Sequence, residues 1–96
     1  MFEKYASLQP RRDDTEVVKQ QKRQARDSLA RLLSELEEQG LKVRQKRSLI
    51  YVECSHAGKF SLRIYPTLNE WIDLKWVSVA SMAKTEHRRQ CPETRQ

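Results

Sequence analysis

Within four short segments between Lys42 and Lys75, basic and aromatic side chains alternate with apolar ones. Lys42, Arg44 and Lys46 alternate with Leu41 and Val43. Tyr51 lies between Ile50 and Val52, Arg63 and Tyr65 flank Ile64, and Trp71 and Lys75 alternate with Ile72 and Leu74. A period of two sends successive side chains to opposite faces of a strand, so these residues should share the face turned away from an apolar core. Cationic groups neutralise phosphates, and exposed rings stack on bases. A sheet carrying both on an open face is one way to take single-stranded nucleic acid. With Arg47 and Lys59 added from the loops, the expected nucleic-acid-binding set is Lys42, Arg44, Lys46, Arg47, Tyr51, Lys59, Arg63, Tyr65, Trp71 and Lys75. The competing account is a solvated face whose Lys and Arg keep edge strands from aggregating. Glu53 and Asp73 interrupt the positive charge, so the expectation is a patch and not a uniformly basic plane.

Three other groupings have the right residue types for chemistry. Lys19, Lys22, Arg23 and Arg26 fall on one side of a helix and could follow a duplex backbone, although an ordinary solvated face has the same pattern. Cys54, His56, His87 and Cys91 form two local pairs of soft ligands, but their spacings match no common zinc module and Cys54 falls among apolar strand residues. No metal and no cofactor are expected. His56, His87, Arg63, Arg88, Arg89 and Tyr65 are the types a small basic ribonuclease would use, without a diagnostic spacing. No nucleophile elbow, paired carboxylates in an apolar setting or glycine-rich phosphate loop is present; the chain has two glycines, Gly40 and Gly58.

The elements that must position these groups follow from periodicity. Phe2, Tyr5 and Leu8 suit a short segment draped over the core, ended by Pro10. Asp13 with Glu16 has capping-box spacing, Asp14 is the rival N-cap, and the acids of this first turn complement the helix dipole. Ala25, Leu29, Leu32, Leu33 and Leu36 make the apolar stripe of a helix over 13–39. Gly40 reads as the left-handed C′ residue of a Schellman stop, with Leu41 at C″ reaching Leu36 at C3. Glu35, Glu37 and Glu38 oppose the dipole at that end, which calls for a positive neighbour, expected from the basic strand that follows.

Four strands should come next, over 41–79. Their inward set is Leu41 and Val43; Ile50 and Val52; Phe60, Leu62 and Ile64; and Ile72, Leu74 and Trp76. The last segment competes with a helix capped by Thr67, but its Val, Ile and Trp content and strict alternation favour a strand. Short connections make the sheet an antiparallel meander, and the helix stripe is its cover. The expected fold is α+β, one long N-terminal helix on a four-stranded antiparallel sheet (α-β-β-β-β). One domain would span 1–82, with an arm over 1–12 and a flexible basic tail over 83–96.

Ninety-six residues allow one core. Apolar residues make up 38% of the chain and charged residues 33%, lean but clustered enough to fold. The net charge of +6 is unevenly placed. Residues 1–40 hold eight basic and eight acidic side chains, whereas 41–76 hold seven and three, and 77–96 hold four and two. A surplus confined to one region points to a polyanionic partner more strongly than a high pI does. The opening "MFEKYASLQP" lacks the apolar stretch of a signal peptide, and no run is long enough to span a membrane. A cytoplasmic protein with both thiols reduced is expected. The leading expectation is a small non-enzymatic nucleic-acid-binding protein of regulatory or accessory type. The alternative is a protein-binding inhibitor or adaptor that docks on an acidic protein surface of a larger nucleic-acid-handling machine, of phage or mobile-element kind. A homodimer through edge strands or helices would add buried surface.

Overall fold

The computed structural model of the chain describes residues 6–46, 49–54 and 60–90. A 3-10 turn (Ala6–Leu8) leads to helix α1 (Glu16–Glu38) and strands β1 (Leu41–Lys46), β2 (Leu49–Cys54) and β3 (Ser61–Ile64). Helices α2 (Leu68–Ile72) and α3 (Lys75–Gln90) follow. Among the described residues the sheet has three strands, not four, in the order β1-β2-β3 and antiparallel throughout. Helix α1 packs on β1, and α3 packs on β3 and β2 beside α1, so both long helices share one layer. The core between the layers holds Leu29, Leu36, Ile50, Val52, Ile64, Trp76 and Ala83, with Leu8 of the N-terminal turn.

The expected fourth strand is replaced by α2 and α3. Thr67 caps α2, its hydroxyl accepting from the Glu70 backbone N–H at 3.3 Å. Leu74 then adopts φ 61° between the two helices. The alternation over 71–76 is therefore incidental to the fold. Trp76 is buried as expected, but Ile72 and Leu74 are 53% and 65% exposed, while Ala80, Ala83 and His87 are buried from α3. The expected tail also changes, because residues 83–90 continue α3. Phe2, Tyr5, the link at 47–48, the loop at 55–59 and residues 91–96 lie outside the described residues.

The end of α1 follows the expected stop. Gly40 has φ 97°, and its N–H donates to the Glu37 carbonyl at 3.0 Å, which is the inner bond of the Schellman arrangement. Leu36 and Leu41 are both buried. A second reason for glycine comes from α3: a Cβ added at position 40 would meet His87 Nε2 at 3.1 Å. The start of α1 differs from expectation. Thr15, not Asp13 or Asp14, is the N-cap and accepts from the Val18 N–H at 3.2 Å. Of the acids at the C-terminal end of α1, Glu35 finds a cation, but from the helix layer, where Lys84 Nζ lies 2.9 Å from its Oε2.

Cys54, at the end of β2, is disulfide-bonded, which overturns the expectation of a reduced thiol. Such bonds persist chiefly in oxidising surroundings, so cysteine usage gives no support to a reducing compartment. Among the described residues no helix is long and apolar enough to cross a membrane.

The corner at Gly40 yields a double test. Gly40→Ala should cost about 1–2 kcal/mol for the left-handed backbone alone, with a further loss from displacing the His87 ring. Urea unfolding should show that extra loss shrinking in a His87→Ala background, because the two sites are in contact. Equal penalties in both backgrounds would mean that the ring plays no part.

Candidate nucleic-acid interface

The strand register decides which side chains meet on the uncovered face of the sheet. Arg44 pairs with Tyr51, and Tyr51 pairs in turn with Arg63, so one row crosses all three strands as Arg44–Tyr51–Arg63. Lys42, Glu53 and Ser61 form the row on one side, and Lys46 and Leu49 begin the row on the other. The alternation continues past β3 to Tyr65, which is 48% exposed. Lys42, Arg44, Lys46, Tyr51, Arg63 and Tyr65 are thereby gathered on one surface, as the sequence pattern implied.

Within that surface the central cation is already engaged. Arg44 Nη2 lies 2.8 Å from Glu53 Oε2, and its guanidinium carbon lies 6.0 Å from the centre of the Tyr51 ring. Arg44 is thus held over the ring by an internal counterion. The sequence showed Glu53 only as an interruption of the positive charge, and a diagonal ion pair between β1 and β2 makes it the partner of Arg44. Lys42, Lys46 and Arg63 are exposed and have no ion-pair partner among the described residues. β1 and β3 are the two edges of the sheet, so the β1 cations also discourage a second chain from pairing there.

The remaining expected residues fall elsewhere. Trp71 lies in α2, partly buried against the core, and Lys75 is the exposed first residue of α3; neither belongs to the sheet. Arg47 and Lys59 lie outside the described residues. The helix grouping of Lys19, Lys22, Arg23 and Arg26 is divided. Lys22 is buried, with Nζ 2.6 Å from Asp14 Oδ2 and 3.1 Å from the Gln9 carbonyl. Arg26 Nη1 donates to the Leu8 carbonyl at 2.7 Å. These two cations clamp the N-terminal segment onto α1 and seat Leu8 in the core, leaving Lys19 and Arg23 on the outer surface.

Among the described residues the ribonuclease types are not brought together. His87 is buried in the helix layer, whereas Arg63 and Tyr65 belong to the sheet's open side, and His56 lies outside the described residues. The disulfide also removes Cys54 from the metal-ligand types, and no group of three candidate ligands clusters among the described residues.

Sequence reasoning missed one further surface. Ile72, Leu74 and Val77 are 53%, 65% and 59% exposed around the α2–α3 corner. Val77 also lines a groove of about 490 Å³ between α1 and α3, together with Leu32, Ala80, Lys84 and Arg88. The signal available in the sequence was the Thr67 cap, which turns the alternating segment into helix and rotates Ile72 and Leu74 outward.

Comparison with protein-family models, curated proteins and solved structures gave no match to this chain.

The N-terminal clamp makes a pH prediction. The hydrogen bond from Lys22, and next the backbone N–H of Arg11, hold the Asp14 carboxyl below the usual aspartate range. A depressed folded-state pKa contributes stability above the unfolded value of about 3.9, and that contribution is lost as pH falls through the folded value. The stability difference between wild type and Asp14→Asn, read from urea midpoints, should stay level above about pH 5 and narrow below about pH 4. A difference that persists unchanged to low pH would show that Asp14 acts without its charge.

Proposed function

We propose that the chain is a non-enzymatic nucleic-acid-binding protein of regulatory or accessory type and that the open sheet face is its binding surface. The observation that carries this reading is the Arg44–Tyr51–Arg63 row, with Lys42 and Lys46 on the same face and Glu53 as its one acid. Salt-titrated binding tests it. Arg63→Ala should weaken binding and reduce the slope of log K against log salt by about 0.7–0.9, the contribution of one phosphate contact. Glu53→Gln should do the reverse, because it frees Arg44 for a phosphate and steepens the slope. No binding of any DNA or RNA at low salt would sink the proposal.

A second reading has its own support. Exposed Ile72, Leu74 and Val77 adjoin the α1–α3 groove, and Leu74 holds a left-handed backbone that a leucine rarely adopts. An apolar surface with local strain suits a protein partner, as an inhibitor or adaptor would need. A stoichiometric partner captured from nuclease-treated lysate by wild type, and lost with Val77→Asp, is the expected outcome on this reading. Equal capture by both proteins would exclude the corner as the docking site.

A further inference from the structure

The geometry points to single-stranded nucleic acid, not a duplex, as the ligand of the open sheet face; this deepens the proposed function and rests on it. Three features of the face support the choice.

The first is width. Three strands about 4.8 Å apart set the two outer backbones about 10 Å apart, before the width of the edge strands and their side chains is added. The major groove of B-DNA is about 12 Å wide and admits a helix or a two-stranded ribbon. A three-stranded sheet backed by helices is too broad to enter it. Duplex RNA offers a shallow minor groove instead, but its recognition spreads over about 16 base pairs. The longest strands here have six residues, or about 20 Å, so the face covers only part of such a site.

The second is the small number of available charges. Lys42, Lys46 and Arg63 have no ion-pair partner among the described residues, and Arg44 is engaged by Glu53. The three free cations among the described residues predict a salt slope of about −2 on a single strand. Duplex binders that rely on the backbone use about six to ten phosphate contacts.

The third is the pair of rings. Tyr51 stands at the centre of the face with Arg44 and Arg63 as its cross-strand partners, and Tyr65 lies two residues beyond Arg63 along the chain. A duplex keeps its base faces stacked inside and offers these rings nothing to stack on. A single strand offers a base to Tyr65, and to Tyr51 once the Arg44 guanidinium that lies over that ring gives way, and stacking tolerates any sequence. Tyr65 is also well supported: its carbonyl accepts from the buried Trp76 indole at 2.8 Å and from the Thr67 N–H at 2.8 Å. The backbone beneath the second ring is therefore fixed from the core side.

Fluorescence anisotropy with labelled 12-nucleotide dT and U strands, beside DNA and RNA hairpin duplexes of equal length, tests the inference. The single strands should bind at least about tenfold more tightly than the duplexes at low salt. Tyr51→Leu and Tyr65→Leu should each weaken single-strand binding by about 5- to 100-fold with little change in salt slope, whereas Tyr→Phe at either site should keep most of the affinity. Wild-type preference for a duplex, or single-strand binding indifferent to both leucine variants, would overturn the inference and leave the proposed function standing. Failure of all four ligands to bind would overturn both. The wild-type comparison stands even if a variant folds poorly.

Discussion

Trp76 is the largest fully buried side chain of the protein, and its indole N–H donates to the Tyr65 carbonyl at 2.8 Å. A buried indole needs such a partner, since an unsatisfied donor in the core forfeits much of what the ring's burial contributes. Here the acceptor sits just beyond the end of β3. One interaction therefore satisfies the core, fixes α3 against the sheet and holds the backbone of Tyr65. Removing a tryptophan from such a position costs about 3–5 kcal/mol in comparable cores, a large share of a small domain's stability. Without Trp76, α3 would lose the largest side chain it buries against the sheet, keeping Ala80 and Ala83.

Two helices on one side of the sheet leave the other side without cover among the described residues. That asymmetry explains the charge distribution better than composition does. β1 and β2 alternate Leu41, Val43, Ile50 and Val52 toward the helices, so Lys42, Arg44, Lys46 and Tyr51 must face away. Like charges gathered on a sheet repel, and the face relieves part of that by holding Glu53 against Arg44 and laying the guanidinium over Tyr51. An exposed ion pair of this kind contributes little to folding. Its larger effect is to set which cations remain free for a ligand.

How far the sequence revealed this structure depended on how local each signal was. Gly40 was readable because one glycine followed a helical stripe and preceded a switch to period two. The alternating faces of β1 to β3 were readable for the same reason, and six of the ten expected interface residues share the open face. The start of α1 was not. Asp13, Asp14 and Thr15 are all good caps; Thr15 takes the position, while the Asp14 carboxylate accepts from Lys22 and from the Arg11 N–H. The fourth strand failed at Ile72–Trp76, where the period fits both a strand and a short helix with a bend. What decides it is the Thr67 cap and the left-handed turn at Leu74, and a leucine gives no warning of such a turn. Trp76 was placed in the core correctly, though on the wrong kind of element. Its burial was legible from hydrophobicity, whereas the direction of approach depended on tertiary packing.

The acids at the end of α1 bear on the same face. Glu35, Glu37 and Glu38 immediately precede the basic strand, and local reasoning would pair them with Lys42 or Arg44 and thereby neutralise the surface. Gly40 prevents this by turning the chain out of the helix layer, so that β1 presents its cations on the side opposite α1. Lys84 of α3 takes Glu35 instead, and Glu37 and Glu38 remain exposed. The helix acids are thus satisfied or solvated within their own layer. Lys42, Lys46 and Arg63 keep their charge on the open face because the sheet lies between them and the nearest run of negative charge.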